Sequence, residues 1–290
     1  MEKKVKLKGH ETFCLREGWL QKGMEEVQKN PKVFSVMSGA DALGVGSNMA
    51  KAIRYWLKAS LLATDKQGIG TLLTEFGEMV YEWDPYVEEP FTLWCLHINL
   101  ACNINAATSW YVFFNRCKLD SFTRSELELL QKENLCKYAE TEELSERSIK
   151  DDCSVILQMY AREHLDKSDP EDKKKCPFTR LGLLRKNGHT YKREKPDLRH
   201  VPAEVVLYLL ATVFEGEDSV SMEELYHGTN GVAALLGIGV ADYQECLDEL
   251  AKKGYLVLNR TAGLDMIYWN KEQHEMPLTK EQVMKIYYEN

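Results

Sequence analysis

One local pattern recurs along this chain and limits its fold more than any other feature. An amphipathic helix is followed by two short apolar segments that a glycine-containing turn joins. Near the N-terminus, Ser47 is placed to cap a helix over 48–63, and the following "ATDKQGIGTLLTEFG" predicts two short strands around a turn. A helix that leads into a hairpin is the order expected of a winged-helix module.

The pattern returns near the C-terminus. In "SMEELY", Ser221 and Glu224 have the spacing of a capping box. The helix of "VADYQECLDELAKKG" follows and ends at Gly254, which suits the left-handed position after a helix. The residues "YLVLNRTAGLDMIYW" then predict a strand, a turn at 261–263 and a second strand. We expect a second winged-helix-like module here.

The middle of the chain is predicted to be helical. Thr123 and Glu126 form another capping box, and Phe122 and Leu127 are spaced for a hydrophobic staple. The helix of "SERSIKDDCSVILQMYAR" follows, without a clear hairpin after it. The aromatic and apolar stretch 88–115 is long enough to predict buried helices rather than strands. The expected fold class is therefore mostly α with small β-hairpins (α+β), built from tandem winged-helix-like modules.

The best candidate linker is Lys167–Pro177, which is charged, contains proline and is poor in apolar residues. We expect an N-terminal domain with a winged-helix-like module over 1–120, a helical middle segment over 121–172 and a C-terminal winged-helix-like domain over 173–290. A chain of 290 residues can bury a large core in any of these arrangements.

The eight cysteines are scattered, and no two lie within four residues of each other, which excludes a CxxC zinc site and indicates reduced thiols. No run of eighteen apolar residues exists, so no membrane span is predicted. The basic N-terminus lacks the apolar stretch of a signal peptide. We therefore expect a cytoplasmic protein that does not contact a membrane.

The charge is unevenly distributed. The chain carries a net −8, which argues against a uniformly basic nucleic-acid coat. Residues 1–60, however, have eleven Lys and Arg against six Asp and Glu, and residues 173–200 have ten against two. Two basic segments on an acidic body are able to present a local face to a polyanion, although solvated surface charge is the alternative interpretation of each.

The helix after Gly46 has two distinct faces on a helical wheel. Its apolar face consists of Met49, Ile53, Trp56, Leu57 and Ser60. The opposite face carries Ser47, Lys51, Arg54 and Lys58 at spacings of four, three and four residues. A helix of this kind is suited to pack on its own module while it faces a DNA groove or a row of phosphates. The alternative is a helix whose cations are merely solvated.

The start of this helix and the predicted turn after it offer further contacts. The first-turn N–H groups, with Ser47 and Asn48, are placed to hold one phosphate, and Lys66 in the turn would lie near the DNA backbone or minor groove. The glycines at 44 and 46 are not a nucleotide loop, because no Walker Lys-Ser/Thr follows and position 49 is Met rather than a third glycine.

A second basic segment, "RLGLLRKNGHTYKREKPDLRH", has an aromatic residue between its cations and a hairpin turn at Asn187-Gly188. The helix near the C-terminus is the opposite case. It exposes Asp242, Glu245, Asp248 and Glu249, which would repel phosphate and suit a protein partner. The residues expected to contact DNA are Ser47, Asn48, Lys51, Arg54, Lys58, Lys66, Arg180, Arg185, Lys186, Lys192 and Arg193.

The candidate catalytic residues are Asp84, Glu88, Glu89 and His97. Three carboxylates and a histidine are the groups that a Mg²⁺-dependent phosphodiesterase needs to hold its ion and prepare a water. The alternatives are a turn start at Asp84 and a core position for His97. His10 and Glu11 in "GHETF" are a further acidic and imidazole pair. No hydrolase signature supports any of them, and no cofactor is expected apart from Mg²⁺ in the case of a nickase.

Four stretches carry a resemblance: "GHETFCLREGWLQKG", "LGVGSNMAKAIRYWLKASLL", "LTEFGEMVYEWDPYVEEPFTLWCLHINLA" and "TSWYVFFN". In this order, over roughly 8–115, they resemble a bacterial domain-of-unknown-function family, catalogued as number four thousand and seven. The family is similar to proteins found with DNA phosphorothioation systems, one member of which is regarded as a DNA-nicking component. The resemblance implies DNA binding in DNA modification or phage defence, and it identifies no catalytic residue.

The function that we expect is DNA binding within a phosphorothioation-type modification or defence system, with double-stranded DNA and other proteins of that complex as partners. One alternative is a Mg²⁺-dependent DNA nickase of the same system. Another is a protein-interaction scaffold that touches no nucleic acid.

Overall fold

A computed structural model describes residues 3–35, 39–141, 143–163, 176–261, 263–272 and 277–289. The linker predicted at Lys167–Pro177 lies outside these ranges except for its last two residues. The chain divides into two compact units, Met1–Glu194 and Lys195–Asn290.

The first unit begins with three helices and a hairpin, whose bounds are α1 Trp19–Lys29, α2 Gly39–Ala42, α3 Ser47–Ala59, β1 Ala63–Lys66 and β2 Gly70–Leu73. The two strands are antiparallel, as the turn signals predict. The capping prediction at Ser47 is wrong, because Gly46 is the N-cap and Ser47 is already helical. The helix ends four residues before its predicted end, since Leu61 adopts a left-handed conformation (φ 61°) that turns the chain into β1.

The core helices of the first unit follow as α4 Glu75–Trp83, α5 Pro90–Cys102 and α6 Thr108–Asn115. Every residue of α5 from Phe91 to Ala101 is buried. A helix that is apolar on all sides must be surrounded by protein, and the prediction of buried helices is confirmed.

The rest of the first unit contains a four-stranded sheet. Its elements are β3 Ser121–Thr123, α7 Arg124–Ala139, α8 Glu146–Tyr160, β4 Ala161–Glu163, β5 Leu184–Asn187 and β6 Thr190–Arg193. The strand order is β3-β6-β5-β4, with β4 and β5 parallel. The Thr123–Glu126 capping box is confirmed. A hairpin follows this helix pair after all, with its turn at 188–189, one residue beyond the predicted position.

This sheet also explains where the chain divides. Because β3 pairs with β6 and β4 with β5, residues from both sides of position 172 belong to one sheet. The two compact units meet at 194/195, whereas the segments predicted from the sequence end at 120 and 172.

The second unit contains α9 Ala203–Val213, β7 Ser219–Ser221, α10 Met222–His227, α11 Val232–Leu235, α12 Val240–Lys252, β8 Leu256–Thr261, β9 Leu264–Trp269 and α13 Lys280–Glu289. Its antiparallel sheet has the order β7-β9-β8. Ser221 caps α10 by accepting a hydrogen bond from the Glu224 N–H at 3.0 Å. Gly254 follows α12 with φ 83°, as predicted.

The fold is α+β, mostly helical with small sheets, as the sequence predicts. Among the helices described, each is too short or too polar to cross a membrane.

Candidate nucleic-acid interface

The two faces of α3 are those that the helical wheel predicts. Ile53, Trp56 and Leu57 are almost completely buried, whereas Lys51 is exposed. The helix lies close to α1, because a Cβ on Gly23 would come within 2.8 Å of both Ile53 and Leu57. Because Gly23 has no side chain, the apolar face of α3 packs closely against α1. The basic face of α3 therefore points away from α1.

Asp65 on β1 holds two of the basic side chains of α3. Its Oδ2 accepts from Arg54 Nη2 at 2.9 Å and from Lys58 Nζ, while its Oδ1 accepts from the Thr71 hydroxyl at 2.9 Å. Partial burial raises the pKa of Asp65, but the hydrogen bonds from Lys58, Arg54 and Thr71 lower it further, to about 2. The carboxylate is therefore ionised at neutral pH and fixes both cationic heads.

The remaining hydrogen-bonding capacity of α3 is not saturated. Lys51 reaches only Asn48 Oδ1, at a long 3.4 Å. Arg54 Nε is buried and finds no acceptor among the described residues. An unsatisfied buried donor costs about 1–3 kcal/mol, so this position of Arg54 is less favourable than a fully hydrogen-bonded one.

A pocket of about 720 Å³ opens beside this face. The charged side chains that line it are Lys6, Lys51, Arg54 and Lys58 together with Glu11 and Asp65. Two aromatic residues, Phe34 and Tyr55, also line it, as do residues 105–106. The sequence patterns identified only the α3 cations, because Lys6 and residues 105–106 reach the pocket through tertiary folding.

A buried polar network anchors the N-terminal segment that contributes to this pocket. Asp152 on α8 accepts from the Lys8 N–H at 2.9 Å and lies 2.8 Å from His10 Nε2 and 2.5 Å from Ser109 Oγ. His10 Nδ1 accepts from the Thr12 N–H at 3.1 Å, so the imidazole proton resides on Nε2 and is donated to Asp152.

His10 therefore has a structural role rather than the catalytic one considered for it. Its ring is fully buried and stacks on Trp56 of α3 at 5.8 Å. The neighbouring Gly9 is required by the packing, since a Cβ there would lie 2.3 Å from the Tyr55 ring. The geometry of this corner comes from contacts between positions 9–10, 55–56 and 152, a relation that spacing along the sequence does not reveal.

Arg193 is half-buried, and its guanidinium binds groups of the protein itself rather than facing outward as a DNA ligand would. Its guanidinium donates to the carbonyls of Phe113 at 2.9 Å, Cys117 at 2.8 Å and Leu119 at 3.3 Å. It also lies 4.5 Å from the centre of the Phe113 ring. Burial lowers the pKa of Arg193 from its usual value. This residue ties β6 to the end of α6, and its assignment to DNA is corrected.

The other cations of the second basic segment differ in their exposure and in their partners within the protein. Arg180 donates to the Val87 carbonyl at 2.5 Å, and Arg185 forms an ion pair with Glu194 at 2.8 Å. Lys186 is half-buried, whereas Lys192 is exposed. Among the predicted DNA contacts of this second basic segment, Lys192 is therefore the best placed to contact a polyanion.

Lys66, at the end of β1 in the first hairpin, is exposed as well.

The predicted catalytic residues do not form a site. Asp84 is buried, and its two oxygens accept from the N–H groups of Glu88 at 2.8 Å and Glu89 at 3.0 Å, which fixes the turn into α5. The side chains of Glu88 and Glu89 are exposed. Asp84 therefore lies at the start of a turn, as the alternative interpretation predicts.

His97 also occupies the alternative position, inside the core. It is fully buried, its Nδ1 lies 2.9 Å from the Tyr160 hydroxyl, and the Phe114 ring packs edge-on at 4.6 Å. Within the described ranges, no group of three or more His, Cys, Asp or Glu is placed to hold a metal ion.

The apolar face of the acidic helix α12 is as predicted, but Asp242 is half-buried and accepts from the Gly239 N–H at 3.1 Å. Its apolar positions Tyr243, Leu247 and Leu250 are buried. Asp248 pairs with Arg260 on β8 at 2.8 Å, and Glu249 pairs with Lys253 at 2.6 Å. This face offers no attraction to phosphate.

The chain belongs to the family described as protein of unknown function (DUF4007), which matches residues 7–288. It is similar to a crystal structure of SspB, with a TM-score of 0.83, and to a crystal structure of magnesium ion-bound SspB, with a TM-score of 0.82. Each is 26% identical, and the match covers 100% of this chain and 89% of the other. No curated protein matches the chain.

Proposed function

We propose that this protein is a DNA-binding component of a bacterial phosphorothioation-type modification or phage-defence system. The observation that carries the proposal is the exposed face of α3, on which Lys51, Arg54 and Lys58 lie together above a firmly buried apolar face. The likeness to SspB and the family resemblance support the assignment to such a system.

The arrangement of elements supports a winged-helix interpretation. In the first unit, helices α1 to α3 lead into the β1–β2 hairpin. In the second, α9, β7, α10 and α12 lead into β8 and β9, and β7 closes the sheet against β9. On this interpretation α3 is the helix that faces DNA, and Lys66 lies in the wing beside it.

Binding would proceed by exchange of partners. A DNA phosphate that approaches α3 competes with Asp65 for Arg54 and Lys58. Lys51 has no ion-pair partner among the described residues and is available at once. Each phosphate neutralised releases counterions, so affinity would fall steeply with salt.

The test is duplex binding as a function of salt concentration. Neutralising Lys51, Arg54 and Lys58 to Gln is expected to reduce the slope of log affinity against log salt by about 0.9 for each lost phosphate contact. Lys252→Gln on α12 of the acidic unit is the matched control and should leave the slope unchanged. A triple variant with the wild-type slope would refute the proposal.

The second candidate function is Mg²⁺-dependent DNA nicking, which the magnesium ion of one similar SspB structure favours. The residues predicted for it do not fit the ion, because Asp84 uses both oxygens within its own turn and His97 is enclosed by aromatic rings. We therefore assign no step to Mg²⁺.

Supercoiled plasmid incubated with Mg²⁺ or with a chelator tests this second candidate. Nicking that requires Mg²⁺ and survives Asp84→Asn would establish the activity and place it elsewhere in the chain. Intact plasmid under both conditions, with DNA binding retained, would leave the binding function alone.

A further inference from the structure

We infer that the pocket beside α3 receives one unstacked nucleotide of the bound DNA, with its phosphate on the α3 cations and its base against the aromatic wall. The inference rests on the proposed function and goes further, since it names an extruded or single-stranded nucleotide as the ligand. A helix that only lies along a DNA groove needs no pocket beside it.

The size of the pocket fits such a ligand. At about 720 Å³ it lies within the range of small-molecule sites, roughly 300–1,000 Å³. A nucleotide drawn out of a duplex is read by enclosure in a pocket of this kind, at an unstacking cost that is least for an unpaired base.

The lining supplies both kinds of contact that a nucleotide needs. Lys51, Arg54 and Lys58 line the pocket, and so do the aromatic residues Phe34 and Tyr55. Aromatic rings accept any base by stacking, and cations accept its phosphate.

The aromatic wall is held in place before any ligand arrives. The Tyr55 ring lies against Gly9 and packs edge-on to Trp56 at 4.9 Å and to His10 at 5.9 Å. These contacts restrict the Tyr55 ring before a ligand binds, which lowers the entropy that a stacked base would cost.

The charge of the lining indicates one phosphate rather than several. Four cations, Lys6 included, face two carboxylates, Glu11 and Asp65, which leaves an excess of two positive charges. A nucleoside triphosphate carries more negative charge than this excess can balance, and no glycine-rich phosphate loop accompanies the pocket. A phosphodiester link, with one charge per nucleotide, is the better match.

The experiment uses the full chain and two duplexes, one regular and one with a single-nucleotide bulge that contains 2-aminopurine. Affinity is measured by anisotropy, and unstacking of the probe by its fluorescence. We expect tighter binding of the bulged duplex by about tenfold, because the bulged nucleotide adds a stacking contact, together with a change in 2-aminopurine emission.

Ala106→Trp fills the pocket without altering a cation, and Ala241→Trp, on the exposed start of α12, is the matched control. The first variant should lose the preference for the bulge and keep regular duplex binding with its salt slope, and the second should change neither. Phe34→Ala, which shortens the aromatic wall, should also lose the preference, and it serves if Ala106→Trp unfolds.

The outcomes separate the two proposals. Equal affinity for both duplexes, or a preference that survives Ala106→Trp and Phe34→Ala, overturns the pocket inference and leaves DNA binding standing. Failure to bind either duplex overturns the proposed function.

Discussion

The helices α3 and α12 are built alike and charged oppositely. Each has thirteen residues, begins after a glycine N-cap and leads into an antiparallel hairpin. The exposed face of α3 carries Lys51, Arg54 and Lys58, whereas that of α12 carries four acidic residues. By sequence, the first unit has 29 basic and 29 acidic residues, and the second has 8 and 16.

In both units the hairpin supplies a partner of opposite sign. Asp65 on β1 binds Arg54 and Lys58, and Arg260 on β8 binds Asp248. In each unit the hairpin therefore neutralises part of the charge of the helix before it. The charge that remains on the helix decides what each unit attracts. This comparison is open to direct tests.

The largest effect is expected from reversal of the α3 face. Changing Lys51, Arg54 and Lys58 to Glu should lower duplex affinity by about 100-fold at ~0.1 M salt, because three phosphate contacts become repulsions. Fluorescence anisotropy measures it. The opposite charge change on α12, Glu245→Lys, should raise duplex affinity slightly. If the α12 variant lost more affinity than the α3 variant, the roles assigned to the two helices would be reversed.

The second effect concerns the support of α3 in the first unit. Asp152→Asn should destabilise that unit by about 2–4 kcal/mol, because an amide cannot accept from Lys8, His10 and Ser109 at once. Denaturant unfolding measures it. Asp248→Asn, which breaks an exposed ion pair of the second unit, should change stability by no more than ~0.5 kcal/mol.

A smaller effect is expected at the bridge between α3 and its hairpin. Asp65→Asn should raise duplex affinity by about 3–10-fold, since a phosphate then meets no intramolecular competitor for Arg54 and Lys58. Arg260→Gln is the corresponding change in the second unit and should have no effect on DNA. A weaker Asp65→Asn complex would mean that Asp65 holds the two cations in their binding geometry.

The smallest effect is the pH dependence of the same carboxylate. The folded pKa of Asp65 is about 2, below an unfolded value of about 3.9, so its contribution to stability is complete above about pH 4 and is lost as the pH falls towards 2. Urea midpoints of wild type and Asp65→Asn should differ by a constant amount from pH 5 to 8 and converge below pH 4. A difference that grows on acidification would contradict the assignment.

Local signals predicted local structure well. The capping box at Thr123 and Glu126, the apolar face of α3 and the glycine after α12 are all present, because each depends on residues within one or two turns. The buried helices α5 and α6 were predictable for a similar reason, since a long apolar stretch is stable in water only when it is buried.

Side-chain roles were predicted less well where the partner is distant. Arg193 binds carbonyls about eighty positions earlier, and His97 meets Tyr160 across sixty-three. In the sequence both look like groups waiting for a ligand. Composition and spacing record that a cation or an imidazole is present, but not whether its partner is solvent, DNA or the chain itself.

The sequence by itself determined which stretches are helical, which faces are apolar and which helix is basic, because these follow from periodicity and the chemistry of adjacent residues. Only the tertiary structure decided that Lys6, Tyr55 and residues 105–106 share a pocket with the α3 cations. It also decided that Asp152 and Asp65 hold this corner in place. The reason is physical: a buried polar group must find its partner wherever packing brings one, and packing joins positions that no sequence spacing connects.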